Sequence, residues 1–125
     1  MMLVDTFIDK SGIEGLGCFA SETIKQGTLI WKHDAKWDVI FDENDLNELQ
    51  DFQKNYIKKY AFRDKERFLG KWIFSIDNGR FWNHSANPNT VLVDFCYYAA
   101  KEIEIGEEIT CDYREYDEDA KSYLK

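Results

Sequence analysis

The stretch Arg80-Phe81-Trp82-Asn83-His84-Ser85-Ala86-Asn87-Pro88-Asn89 decides how this chain is read. A polar cluster directly after an aromatic run makes either a hydrogen-bonded turn or a ligand cradle, because Asn and His each offer donor and acceptor capacity. Taken alone, it favours the turn. Two further stretches change the balance by their order. Gly15-Leu16-Gly17 followed by Cys18-Phe19-Ala20 lies upstream, and Gly106-Glu107-Glu108-Ile109-Thr110-Cys111-Asp112-Tyr113 lies downstream. A glycine pair lets backbone approach a ligand closely, although most such pairs are plain turns. It is not a dinucleotide fingerprint, which needs another spaced glycine and a following helix where Cys18-Phe19-Ala20 reads as strand.

Working outward, three regions emerge from the apolar period. Residues 3 to 33 alternate β-like runs (Leu3 to Ile8, Cys18 to Ala20, Thr28 to Trp31) with glycine turns, which predicts twisted hairpins. Residues 42 to 70 carry Leu46, Leu49, Phe52, Tyr56, Ile57 and Tyr60 in steps of three and four, which predicts a solvated helical insert with Asp45 and Glu48 as its capping box. Residues 71 to 76, 90 to 99 and 109 to 113 read as strands again, and Asn78-Gly79 reads as a hairpin turn. From 114 to 125 the chain is a charged tail, a short helix anchored by Tyr116, Tyr123 and Leu124 or a disordered end.

A length of 125 residues predicts a single domain, and 44% hydrophobic with 16% aromatic residues suffices for a core. One proline and seven glycines exclude collagen-like and low-complexity chains. A net charge of −8 argues against direct nucleic-acid binding and for a basic partner. Cys18, Cys96 and Cys111 lack the density of a disulfide framework, and no apolar run reaches the roughly 18 residues of a membrane span. The expectation is a soluble intracellular protein; cytoplasm and nucleus are not resolved, and export without a visible signal stays open. No paired ligands suggest zinc, and Asp42-Glu43-Asn44-Asp45 lacks the later positions of a calcium loop. A Cys/His nucleophile is compatible with the composition, but nothing local marks one.

In combination, the three stretches resemble the SET-domain protein lysine methyltransferases, over residues 5 to 116. The resemblance implies a mainly β fold of small twisted sheets with short helices, a carboxy-terminal pseudoknot and a variable insert at 42 to 70. It implies S-adenosylmethionine as cofactor, with a basic protein or peptide, such as a histone or histone-like protein, entering from the opposite face. Tyr113 matches the catalytic tyrosine. Gly15, Leu16, Gly17, Asn83 and His84 match cofactor-binding positions, with Arg80 in support and Tyr116 beside the adenine. Ser85, Glu108 and Asp112 take structural roles. Ala86 stands where relatives often carry cysteine, and no cysteine follows Tyr113, which implies a zinc-free, minimal form like the small viral and bacterial members.

Methyl transfer to lysine needs a neutral amine, whereas a free lysine has a pKa of about 10.4. An apolar channel and a neighbouring sulfonium both lower it. Phe74 and Phe95, with Phe81, Trp82 and Tyr97, are available as channel walls or as ordinary core. Cys111 occupies the position that in the family tunes how many methyl groups are added, and a residue without a phenol there implies progression beyond the first. Two alternatives stand beside the enzyme: a SET-like binding module that has lost transfer, and an acidic adaptor for a basic protein.

Overall fold

The computed structural model describes residues 1–63 and 68–115, so Tyr116 and the expected tail helix lie outside the described residues. In chain order the elements are β1 (Thr6–Lys10), β2 (Leu16–Ala20), β3 (Leu29–Lys32), β4 (Asp38–Phe41), α1 (Glu43–Asn47), α2 (Asp51–Tyr60), β5 (Phe62–Arg63), β6 (Trp72–Ser75), β7 (Asn83–His84), β8 (Thr90–Val93), β9 (Cys96–Ala99) and β10 (Thr110–Cys111). Single turns of 3-10 helix occupy Asn78–Phe81 and Tyr113–Glu115. This is a mainly β protein with short helices.

Four small sheets carry the fold. The antiparallel pair of β1 and β2 is the hairpin that the glycine turns predict, closed by a bond from Ser11 N–H to the Gly15 carbonyl at 2.9 Å. Gly15 has φ +52°, a conformation that side chains adopt at a cost. A second sheet runs β3-β9-β8 and a third β4-β6-β5, both antiparallel. The fourth is the parallel pair of β7 and β10, which joins the Asn83-His84 step to Thr110-Cys111.

The core sits between β2, β3 and β9, where Cys18, Ile30, Ile103 and Ile109 are wholly excluded from solvent. Each such aliphatic side chain contributes about 1.5–3 kcal/mol on burial. The insert is anchored differently. Leu46 of α1 is buried, but α2 buries no residue, and Phe52 is 69% exposed. Pairing of β5 with β6 ties the far end of the insert back to the protein.

Several expectations need correction. Asn78-Gly79 makes no hairpin. The Asp77 carboxylate accepts the Gly79 N–H at 2.9 Å and starts a 3-10 turn, so a local cap outcompetes the reversal. The expected strand over 90–99 is instead the β8–β9 hairpin, turning at Asp94 and Phe95 with φ of +48° and +63°. Two positive φ values in succession match the right-handed twist of the flanking strands, but phenylalanine is no turn residue and gave no signal. The capping box is Asp42 with Asp45, three residues earlier than expected, and the insert breaks at Gln50 into two helices. Strand β4 was not anticipated. Four residues are too short for their apolar pattern to be distinguished from a loop.

Candidate functional site

Glu108 sits at the centre of a polar clasp. Its carboxylate accepts the Ser11 hydroxyl at 2.8 and 2.9 Å and the Asn83 amide at 2.9 Å. The same amide donates to the Leu16 carbonyl at 3.0 Å and the Glu14 carbonyl at 3.2 Å. Gly17 is required for this packing, because a Cβ there would lie 2.6 Å from Glu108 Oε2. The glycine stretch, the asparagine and the acidic loop are thus brought together, as their order suggested.

Asn89 extends the clasp. It is only 4% exposed, its Oδ1 accepts Thr110 N–H at 2.9 Å, and its Nδ2 donates to the Glu108 carbonyl at 2.8 Å and to Glu107 Oε2 at 2.9 Å. Thr90 Oγ1 donates to the Thr110 carbonyl at 2.7 Å, and Ser85 N–H donates to the Cys111 carbonyl at 3.0 Å. Buried polar groups left without such partners cost about 1–3 kcal/mol each, so the network fixes β10 against β7 and β8 in one register.

Beside the clasp lies a cavity of about 90 Å³. Trp31, Trp82, Phe95 and Tyr97 wall it, and Cys111 and Tyr113 face it. The Tyr113 hydroxyl donates to the Trp82 carbonyl at 2.5 Å, and the Tyr113 N–H donates to His84 Nδ1 at 3.1 Å. An accepting Nδ1 places the imidazole proton on Nε2. Asp112 lies 3.7 Å from that nitrogen but turns to Arg114, whose guanidinium donates to it at 2.6 and 2.8 Å and holds its carboxyl below the usual range. The structure therefore assigns Asp112 to a local ion pair. Burial pushes the Tyr97 phenol well above its ordinary value, so this wall stays neutral.

Phe95 reaches the cavity because its backbone is left-handed, a conformation that costs a non-glycine residue roughly 1–2 kcal/mol. Its ring packs edge-on against Trp31 at 5.9 Å and against Phe62 at 6.3 Å. Arg80 also lines the cavity, with its guanidinium over the rings of Phe81 at 4.8 Å and Phe74 at 5.4 Å. Its buried Nε has no hydrogen-bond partner and no carboxylate pairs with it among the described residues. Phe74 lies behind Arg80 and is not part of the lining. Burial raises the Cys18 thiol to about 11, which removes it as a nucleophile.

Of the expected residues, Gly15, Leu16, Gly17 and Asn83 meet in the clasp, and Arg80, Phe95, Cys111 and Tyr113 meet at the cavity; His84 joins the two groups. Trp31, Leu92, Lys58 and Lys59 at the cavity were not foreseen, nor was Asn89 beyond a turn role. Among the described residues no group of three or more His, Cys, Asp or Glu is placed to hold a metal ion. No helix there is long and apolar enough to cross a membrane.

A SET-domain sequence profile matches residues 15–114, from the glycine stretch through Tyr113. The chain belongs to the SET-domain family. Histone-lysine N-methyltransferase set1 of Dictyostelium discoideum is 30% identical over 90% of this chain and 8% of that protein. Histone-lysine N-methyltransferase trr of Drosophila melanogaster is 32% identical over 88% of this chain and 5% of its own length. ASHR3 of Arabidopsis thaliana, also a histone-lysine N-methyltransferase, is 31% identical over 80% and 22%. This SET-domain chain thus spans a small part of each curated relative. Its fold resembles the Plasmodium falciparum protein PFL0690c, with a TM-score of 0.60 at 22% identity over 90% of this chain and 95% of that one. It also resembles the Chaetomium thermophilum Polycomb Repressive Complex 2, at a TM-score of 0.65 and 20% identity over 91% of this chain and 15% of that one.

Proposed function

We propose that this SET-domain protein is a protein-lysine N-methyltransferase that moves a methyl group from S-adenosylmethionine to a lysine of a basic protein such as a histone or histone-like protein. The observation that carries the reading is Tyr113, held by His84 and Trp82 at the wall of an aromatic cavity. A phenol that donates its hydrogen to a backbone carbonyl keeps its oxygen turned to a fixed place, where its lone pairs can accept an amine N–H and orient the nitrogen.

The residues present fit the cofactor. Arg80 offers a partly buried cation with an unpartnered Nε, suited to a carboxylate, while the backbone at Gly15 to Gly17 and the Asn83-His84 step supply closely approachable polar groups. When bound, S-adenosylmethionine supplies a methyl group activated by a sulfonium. The protein's own part is desolvation, alignment and charge. Aromatic walls exclude water from the acceptor amine, and that desolvation disfavours its protonated form. The lysine then reacts as the free base, and Tyr113 keeps its lone pair aimed. Cys111, whose thiol is a weak hydrogen-bond donor, leaves space beside the nitrogen for products beyond monomethyl-lysine.

The decisive experiment incubates the protein with labelled S-adenosylmethionine and a set of basic proteins, with calorimetry of cofactor binding in parallel. Label on lysine supports the enzyme. Cofactor binding without transfer would identify a binding module, and neither would identify an adaptor.

A further inference from the structure

The charge of the whole chain and the charge at the cavity have opposite signs. The chain carries −8, yet the charged residues lining the cavity are Lys58, Lys59 and Arg80, with no Asp or Glu among the described lining residues. Lys58 and Lys59 form the last turn of α2, are exposed, and enter no ion pair among the described residues. Lys59 Nζ stands 5.4 Å from the centre of the Tyr60 ring, and Tyr60 itself lines the cavity, so this charge is held at the rim. Neighbouring Arg63, by contrast, has Glu43 at 3.8 Å. Favourable placement at the negative end of a helix accounts for a cation in this turn, but not for two that also border the cavity.

The β8–β9 hairpin, which also contributes to the cavity, carries the other sign of charge. Leu92 lines the cavity and donates its N–H to the Glu115 carboxylate at 3.0 Å, while Asp94 occupies the exposed turn next to Phe95. The charges that reach the cavity itself are therefore cationic and sit on α2 and Arg80, whereas the carboxylates near the β8–β9 hairpin are not part of its lining.

From this polarity we infer that Lys58 and Lys59 select a substrate carrying a carboxylate beside the acceptor lysine, on the side that passes over the end of α2. The inference rests on the function proposed above and narrows its substrate class. The net charge attracts a basic protein at long range, whereas the rim repels a cation at the one flank it faces. An acidic side chain there also draws the peptide into a single direction across the opening.

The test uses peptides with one central lysine that differ only in a single flanking residue, Glu, Gln or Lys, placed on each side in turn. Binding is read by fluorescence anisotropy and transfer by kcat/KM. At one flank the Glu peptide should exceed the Lys peptide by roughly three- to tenfold at low salt, the range expected for exposed ion pairs, and added salt should erase the difference. Charge reversal in the double variant Lys58→Glu/Lys59→Glu should invert the order, and Lys58→Gln/Lys59→Gln should flatten it. Equal binding of all peptides, or a preference unchanged in both variants, would overturn the inference while transfer stays intact. Absence of transfer to every peptide would overturn the proposed function instead, and the anisotropy order would still decide whether the rim selects charge.

Discussion

The clasp around Glu108 and the insert from 42 to 70 are built on opposite terms. In the clasp, polar side chains from distant parts of the chain satisfy one another, half-buried at Ser11, Asn83 and Glu108 and buried at Asn89, and the two asparagines help join the glycine stretch, the acidic loop and β10. In the insert, α2 has no fully buried residue; it is tied by Leu46 before it, by β5 after it and by ring contacts of Tyr56 with Phe74 and of Tyr60 with Phe81. A side chain with several buried partners has few acceptable replacements, whereas an exposed one has many. The clasp thus lies beside the cavity, whereas the end of α2 lines it.

The contrast breaks first at Asn89. Replacement by Ala strips partners from Thr110 N–H and the Glu108 carbonyl, and stability should fall by about 3 kcal/mol or more in urea unfolding. A loss below about 1 kcal/mol would show that the clasp does not hold β10. Next in size is Tyr113→Phe, which keeps the ring and removes the hydroxyl. Transfer should drop about 10²-fold while stability falls by no more than the roughly 1 kcal/mol of the lost bond to the Trp82 carbonyl, and turnover at the wild-type rate would remove Tyr113 from the chemistry. Asn83→Ala should weaken cofactor binding by about 1–3 kcal/mol in calorimetry, since the Leu16 carbonyl and Glu108 lose a shared donor. If affinity is retained in the folded variant, Asn83 only shapes the clasp.

On the cavity side, Cys111→Tyr should shift products toward monomethyl-lysine in a mass-spectrometric time course on one peptide. Strict monomethylation by both proteins would refute a role for this position. The smallest effect belongs to the insert. Phe52→Ser, at a side chain 69% exposed, should change stability by no more than about 0.5 kcal/mol. A larger loss would mean that α2 is supported by that face.

How far these two regions could be read from the chain differs for the same reason. The order of the glycine, asparagine and tyrosine stretches pointed to the fold and to most of the site, because a buried polar network restricts residue type at each place. The β8–β9 turn escaped notice because tertiary packing, not local preference, holds Phe95 at positive φ. Lys58 and Lys59 stand in the last turn of α2, where a cation suits the helix dipole, so nothing in the local sequence marks their place at the cavity. Asp112, expected in the structural network, pairs with Arg114, whose guanidinium lies closer to it than the His84 ring does. The 3-10 turn at Asn78 was hidden by a dipeptide that serves hairpins more often than caps.

The parallel pairing of β7 with β10 has a consequence on the time axis. Parallel neighbours cannot be joined by a tight turn, and here the intervening chain must first make the β8–β9 hairpin before Asn83 and His84 can receive Thr110 and Cys111. Closing such a contact demands chain entropy that local hairpins do not, which makes it a late event in folding. Tyr113 follows β10 directly, and its bond to His84 exists only once the pair has closed. A nascent or partly unfolded chain can therefore hold its hairpins and still lack the phenol at the place where the folded chain fixes it.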